Sequence, residues 1–126
     1  MKDKEIVEYW NDVSGEGWKD PLHFERKPGD TKVHMVLHRD RAGQAIVLCD
    51  SFDRRVNLKM LLGDQRRTDK VEVLDSAGDV RIYFGRFAVD FEVALKAVRY
   101  FLDYASLDPS LEWGDYEEAD PDYLDL

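Results

Sequence analysis

Between Lys4 and Val13, Ile6, Val7, Trp10 and Val13 recur at three- and four-residue spacings, which predicts an amphipathic helix with one apolar face. Ser14-Gly15-Glu16-Gly17 closes it, since glycines supply the left-handed conformations that stop a helix. Pro21 and Pro28 mark Trp18 to Asp30 as mostly loop, with a short strand around Leu22 to Glu25. In Lys32 to His38 the period changes to two. Val33, Met35 and Leu37 share one face there, and His34 and His38 share the other.

Arg39 to Gly43 has the length of a hairpin loop. The strand after it, Gln44 to Cys49, carries the run Ala45-Ile46-Val47-Leu48-Cys49, apolar on both faces, and is expected in the interior with cover on both sides. Val56 to Leu62 fits either period, and strand is the preferred reading. Lys70 to Leu74 and Val80 to Phe84 form a hairpin around Asp75-Ser76-Ala77-Gly78-Asp79, with Val80, Ile82 and Phe84 expected to point inward. Phe91 to Tyr104 is the clearest helix: Phe91, Ala94, Leu95, Val98, Phe101 and Leu102 make one apolar stripe. Asp90 is its expected N-cap, and Glu92–Lys96 and Arg99–Asp103 its exposed pairs. Asp108-Pro109 stops it, and Ser110 to Trp113 continues extended.

The expected fold class is therefore α+β. An antiparallel four- to six-stranded sheet carries an N-terminal helix and a long C-terminal helix packed on one face. Residues 1–113 read as a single domain and 114–126 as an acidic C-terminal tail. The length of 126 residues and the 44% hydrophobic content suit one domain with its own core.

Charge changes the picture more than composition does. Lys and Arg number 18 against 27 Asp and Glu, a net charge of −9. That balance disfavours binding to nucleic acid or to an anionic membrane, both of which need a clustered basic surface. The excess is concentrated: Glu112, Asp115, Glu117, Glu118, Asp120, Asp122 and Asp125 lie in the last fifteen residues without a Lys or Arg among them. Arg54, Arg55, Lys59, Arg66, Arg67 and Lys70 form the opposite bias, which reads as a solvated face rather than an anion site, or as a receiver for the acidic tail. No stretch is apolar enough for a signal-peptide core or a membrane span, which points to a cytoplasmic protein.

Candidate chemistry is sparse. Cys49 is the single cysteine, which excludes an intramolecular disulfide and thiolate-rich zinc sites; at the end of an apolar strand it reads as a small buried thiol. His34 and His38, four residues apart in a strand, are separated by roughly 13 Å, too far for one metal. They and His23 read as solvent-facing or structural. Gly15-Glu16-Gly17 lacks the context of a phosphate loop. The expectation is a protein with no catalytic residues, no cofactor and no metal. Acidic residues interleaved with aromatic ones have the composition of a protein interface, so Glu112, Trp113, Asp115, Tyr116, Glu117 and Glu118 are the candidate partner-binding residues.

Phe87-Ala88-Val89-Asp90, the helix containing Ala94-Leu95-Lys96-Ala97-Val98-Arg99-Tyr100-Phe101-Leu102, and Asp108-Pro109-Ser110-Leu111-Glu112-Trp113 together resemble the Imm1 family of bacterial immunity proteins. The resemblance runs over residues 80–116, with Pro109, Leu111 and Trp113 at motif positions. It implies a specific inhibitor of a polymorphic toxin encoded beside it, often a nucleic-acid deaminase, whose basic cleft an acidic and aromatic surface would occupy. The alternative is a non-enzymatic acidic adaptor, antitoxin or DNA-mimic interaction module.

Overall fold

The computed structural model describes residues 3–12, 19–51, 58–119 and 121. Helix α1 (Asp3–Asn11) is followed by β1 (Leu22–Arg26), β2 (Val33–Arg39), β3 (Ala45–Ser51) and β4 (Lys59–Leu61). Then come β5 (Lys70–Leu74), β6 (Val80–Phe84), a 3-10 turn at Gly85–Phe87, α2 (Phe91–Tyr104), β7 (Trp113–Asp115) and the short helix α3 (Tyr116–Ala119). The order β1-β2-β3-β4-β7 makes an antiparallel five-stranded sheet; β5 and β6 form a separate two-stranded one. The fold is α+β, as expected. Among the described residues no helix is long and apolar enough to cross a membrane.

The apolar run of β3 explains why there are three layers. Ala45, Val47 and Cys49 face the helices and share a core with Ile6 and Trp10 of α1 and Ala94, Ala97, Val98 and Phe101 of α2. Ile46, with Leu48 packed beside it, faces the other way, into a second core with Met60, Val71, Val73, Tyr83, Phe87 and Ala119. A strand apolar on both faces thus serves two cores, one under the helices and one under the β5–β6 hairpin and α3. The helical layer is also locked from end to end. Trp10 stacks on Phe91 with ring centroids 4.6 Å apart, and Arg99 pairs with Asp3.

The chain crosses between layers at residues 87–89, where Phe87 belongs to the second core and Val89 to the first. Two hydrogen bonds between Ala45 and Val89 (2.8 and 2.9 Å) fix the crossing. Gly63 lies against it: its N–H donates to the Arg86 carbonyl at 2.7 Å, and a Cβ there would sit 2.2 Å from the Ala88 carbonyl oxygen. Backbone must move to admit even a methyl group. Gly63→Ala is therefore expected to cost about 1–3 kcal/mol, read as a lowered denaturation midpoint.

Several expectations need correction. The inward face of the hairpin differs from the one expected: Val80 is 50% and Ile82 39% exposed, Tyr83 is buried instead, and of the three residues expected inward only Phe84 packs against the second core. Tyr83 stands opposite Val71, and those two with Val73 meet the sheet, so the β5 valines set which face turns in. Helix α2 has the expected bounds but only 14 residues, an ordinary helix rather than a long one. It ends where Ala105 takes a left-handed conformation (φ 53°) and donates its N–H to the Phe101 carbonyl. Asp90 occupies the N-cap position without a side-chain cap; its carbonyl receives the Val93 and Ala94 N–H groups instead. Leu95 is only half-buried, at the rim of the stripe. Arg99 reaches across to α1 rather than along its own helix to Asp103. The expected roles of Val13, Ser14 to Gly17, and Arg54 to Asn57 lie outside the described residues.

Candidate functional site

The candidate interface begins where α2 gives way to β7. The Asp108 carboxylate accepts the Ser110 N–H (2.9 Å) and hydroxyl (2.8 Å), closing a tight turn. These hydrogen bonds favour the ionised form and hold Asp108 below the usual carboxylate range. The same residue's carbonyl accepts Trp113 Nε1–H at 3.1 Å. Trp113 then starts β7, whose register against β4 pairs Leu61 with Trp113, Met60 with Gly114 and Lys59 with Asp115. At Gly114 a Cβ would meet the Phe87 ring at 3.0 Å, so a glycine lets that ring close over the strand.

The passage from β7 into α3 places the two candidate aromatic residues against different cores. Trp113 packs against the first core, on the helical side. Tyr116 packs against the second: its ring meets Tyr83 edge-on with centroids 6.1 Å apart, and its N–H donates to the Leu58 carbonyl. Both are half-buried and tied into the fold. Ala119, three residues on, is fully buried. Residues 113–119 are thus an edge strand and a helical turn backed by core.

What this segment presents outward is carboxylate. Glu112, Glu117 and Glu118 are exposed, on backbone held by neighbouring elements. The Glu112 carbonyl accepts the Leu62 N–H at 2.9 Å, and its carboxylate accepts from Gln65. The Glu118 carbonyl accepts Arg86 Nη2–H at 2.9 Å, while that guanidinium lies over the Phe84 ring. Asp115 is answered internally by Lys59 across the β4–β7 pair. Here the basic stretch does receive the acidic segment. Elsewhere in the stretch, among the described residues, Arg66 pairs with Asp64 and Arg67 with Asp69, and each arginine pulls its carboxyl below the usual range.

The histidines are joined in a way their spacing did not reveal. His34 and His38 do share a face of β2, but His23 on β1 lies diagonal to His34, and their rings stack with Nδ1 of His23 2.8 Å from Nε2 of His34. His23 Nε2 meets Ser76 Oγ at 2.8 Å, and His34 Nδ1 faces Asp50 at 3.6 Å. His38 is buried and donates from Nδ1 to the Leu74 carbonyl at 3.0 Å. The antiparallel β1–β2 register was the available signal, because residues diagonal across a hairpin touch. Cys49 is the buried thiol expected, with burial pushing its pKa up to about 12. Among the described residues no group of three His, Cys, Asp or Glu could hold a metal ion.

In comparisons with known proteins, no family model, curated protein or solved structure matches the chain.

Proposed function

We propose that this protein is a non-catalytic inhibitor that binds a basic toxin and blocks it, acting in the cytoplasm as the immunity component of a polymorphic toxin system used in interbacterial competition. The observation carrying this reading is the exposed Glu112, Glu117 and Glu118 on the β7–α3 edge, where ordered backbone holds the carboxylates. Fixed charges cost less to organise on binding than charges on a loose chain, because their ordering entropy is already spent in folding. The long-range field of a −9 protein speeds its encounter with a basic cleft. The resemblance to Imm1 immunity proteins supplies the class of partner, a nucleic-acid-targeting toxin of the deaminase type.

The direct test is co-expression with the toxin domain encoded in the adjacent reading frame. Growth restored by the intact chain, and lost when Glu112, Glu117 and Glu118 are all replaced by Lys in a protein that still folds, is the expected result. Full protection by the triple variant would place the contact elsewhere.

A further inference from the structure

Among the described residues the exposed large apolar side chains are Val80, Ile82 and Tyr104, and the first two sit on one strand, β6. That strand is an edge: β5 and β6 pair with each other, and no described strand lies along the far side of β6. We propose that this edge accepts a strand. An extended segment of the basic partner, with apolar residues alternating with Lys or Arg, pairs with β6 through main-chain hydrogen bonds at Val80 and Ile82. This rests on the basic partner proposed above and adds how it is held.

The hairpin register shows which backbone groups are on offer. Antiparallel strands exchange hydrogen bonds at every second pair, so residues of one parity bond across the ladder and those of the other point away from it. Asp75 N–H donates to the Asp79 carbonyl at 2.8 Å and Gly85 N–H to the Asp69 carbonyl at 2.7 Å, which puts Val71–Tyr83 and Val73–Arg81 in the bonded set. Val80 and Ile82, opposite Leu74 and Glu72, belong to the other set and turn their N–H and C=O groups outward. Leu74 agrees from the opposite side of the hairpin. Its carbonyl points away from β6 and accepts from His38 of the main sheet at 3.0 Å. The sheet thus meets the β5 edge at Leu74 and leaves the β6 edge open. The edges of the main sheet are less suited: the exposed side chains of β1 are His23 and Glu25, polar groups of the kind that blunt an edge, and β7 has three half-buried residues.

Charge selects the occupant. Asp79 precedes β6 and Glu72 stands opposite Ile82, both exposed. At the other end of the strand Tyr83 meets Tyr116, and Arg86 lies over the Phe84 ring while donating to the Glu118 carbonyl. A segment running along β6 therefore arrives at α3, where Glu117 and Glu118 are exposed. Of the cations beside the strand, Arg81 answers Asp75 at 3.1 Å, Arg86 is engaged as above, and Lys70 stands opposite Phe84. Carboxylates predominate, which favours Lys and Arg in the incoming segment and disfavours a second copy of a chain with net charge −9. Val80 and Ile82 meet its alternate, apolar residues. Main-chain bonds supply affinity in this mode, and alternate side chains supply specificity.

The test is amide hydrogen exchange on the intact chain by NMR, with a short synthetic peptide alternating lysine with valine as the probe. The peptide is expected to protect the Val80 and Ile82 amides and to leave those of α2 unchanged. N-methylating every residue of the peptide keeps its charge and removes its main-chain donors; that form should bind about tenfold more weakly and protect neither amide. Ile82→Pro removes an outward N–H without breaking the ladder to β5, and should weaken binding of the peptide and of the proposed toxin domain by about tenfold. The N-methyl comparison uses the unaltered chain, so it decides the matter even if the Pro variant does not fold. Equal binding of the two peptide forms would overturn strand addition. So would a bound toxin domain that leaves the Val80 and Ile82 amides exchanging as in the free chain, a result that keeps the acidic edge as the contact. Protection of those amides in the chain alone, rising with its concentration, would assign the edge to a second copy and overturn the proposal as well. The acidic edge itself fails separately, by full protection of growth in the triple Lys variant.

Discussion

Phe101→Ala is expected to lower the stability of the protein by about 3–5 kcal/mol, most of the margin available to a domain of this size. Phe101 is fully buried on the face of α2 that meets Val47, Leu61 and Trp10, among the largest side chains with no exposure. Its removal takes away apolar burial and leaves a cavity between a helix and a sheet that are each held by other contacts, so collapse is incomplete. Leu95, on the same stripe but half-buried at its rim, is expected to cost clearly less when cut to Ala. Chemical denaturation of the two variants checks this ordering. Equal midpoints would mean that α2 does not pack on the sheet through the face described.

Replacing Glu112, Glu117 and Glu118 together with Lys is expected to slow association with a basic partner by roughly ten- to a hundredfold at low salt. The substitution changes the charge of one surface by six while touching no buried side chain. Stability should move little, because exposed charges away from packed contacts usually contribute only a few tenths of a kcal/mol. Removing residues 114–126 is a poorer test of the same surface. That truncation also deletes the Lys59–Asp115 pair, the Tyr116–Tyr83 contact and the buried Ala119, so loss of binding and loss of fold would arrive together.

Local periodicity made most of the fold legible. The five apolar residues from Ala45 to Cys49 implied cover on both faces, and the structure supplies a core on each. The stripe from Phe91 to Leu102 implied a helix with one buried side, and α2 has those bounds. Long-range pairing was not legible. Both faces of Val80 to Phe84 carry bulky apolar groups, so alternation alone could not choose between them; Val71 and Val73 chose. The three-residue strand β7 carries no periodic signal, and its place is set by register against Lys59 to Leu61. Charge-rich composition hid the fact that Trp113 to Ala119 packs against two cores. The candidate carboxylates were visible as composition; that Glu112, Glu117 and Glu118 face outward while Asp115 is met by Lys59 depends on contacts from another part of the chain.

The central claim is that an ordered acidic edge attracts a basic partner, and the most direct measurement is the association rate with the proposed toxin domain as ionic strength is raised. The intact chain should associate fast at low salt and slow steeply as salt screens the attraction, with the triple Lys variant slow and nearly flat across the same range. Equal rates and equal salt slopes for the two proteins, both folded, would contradict it.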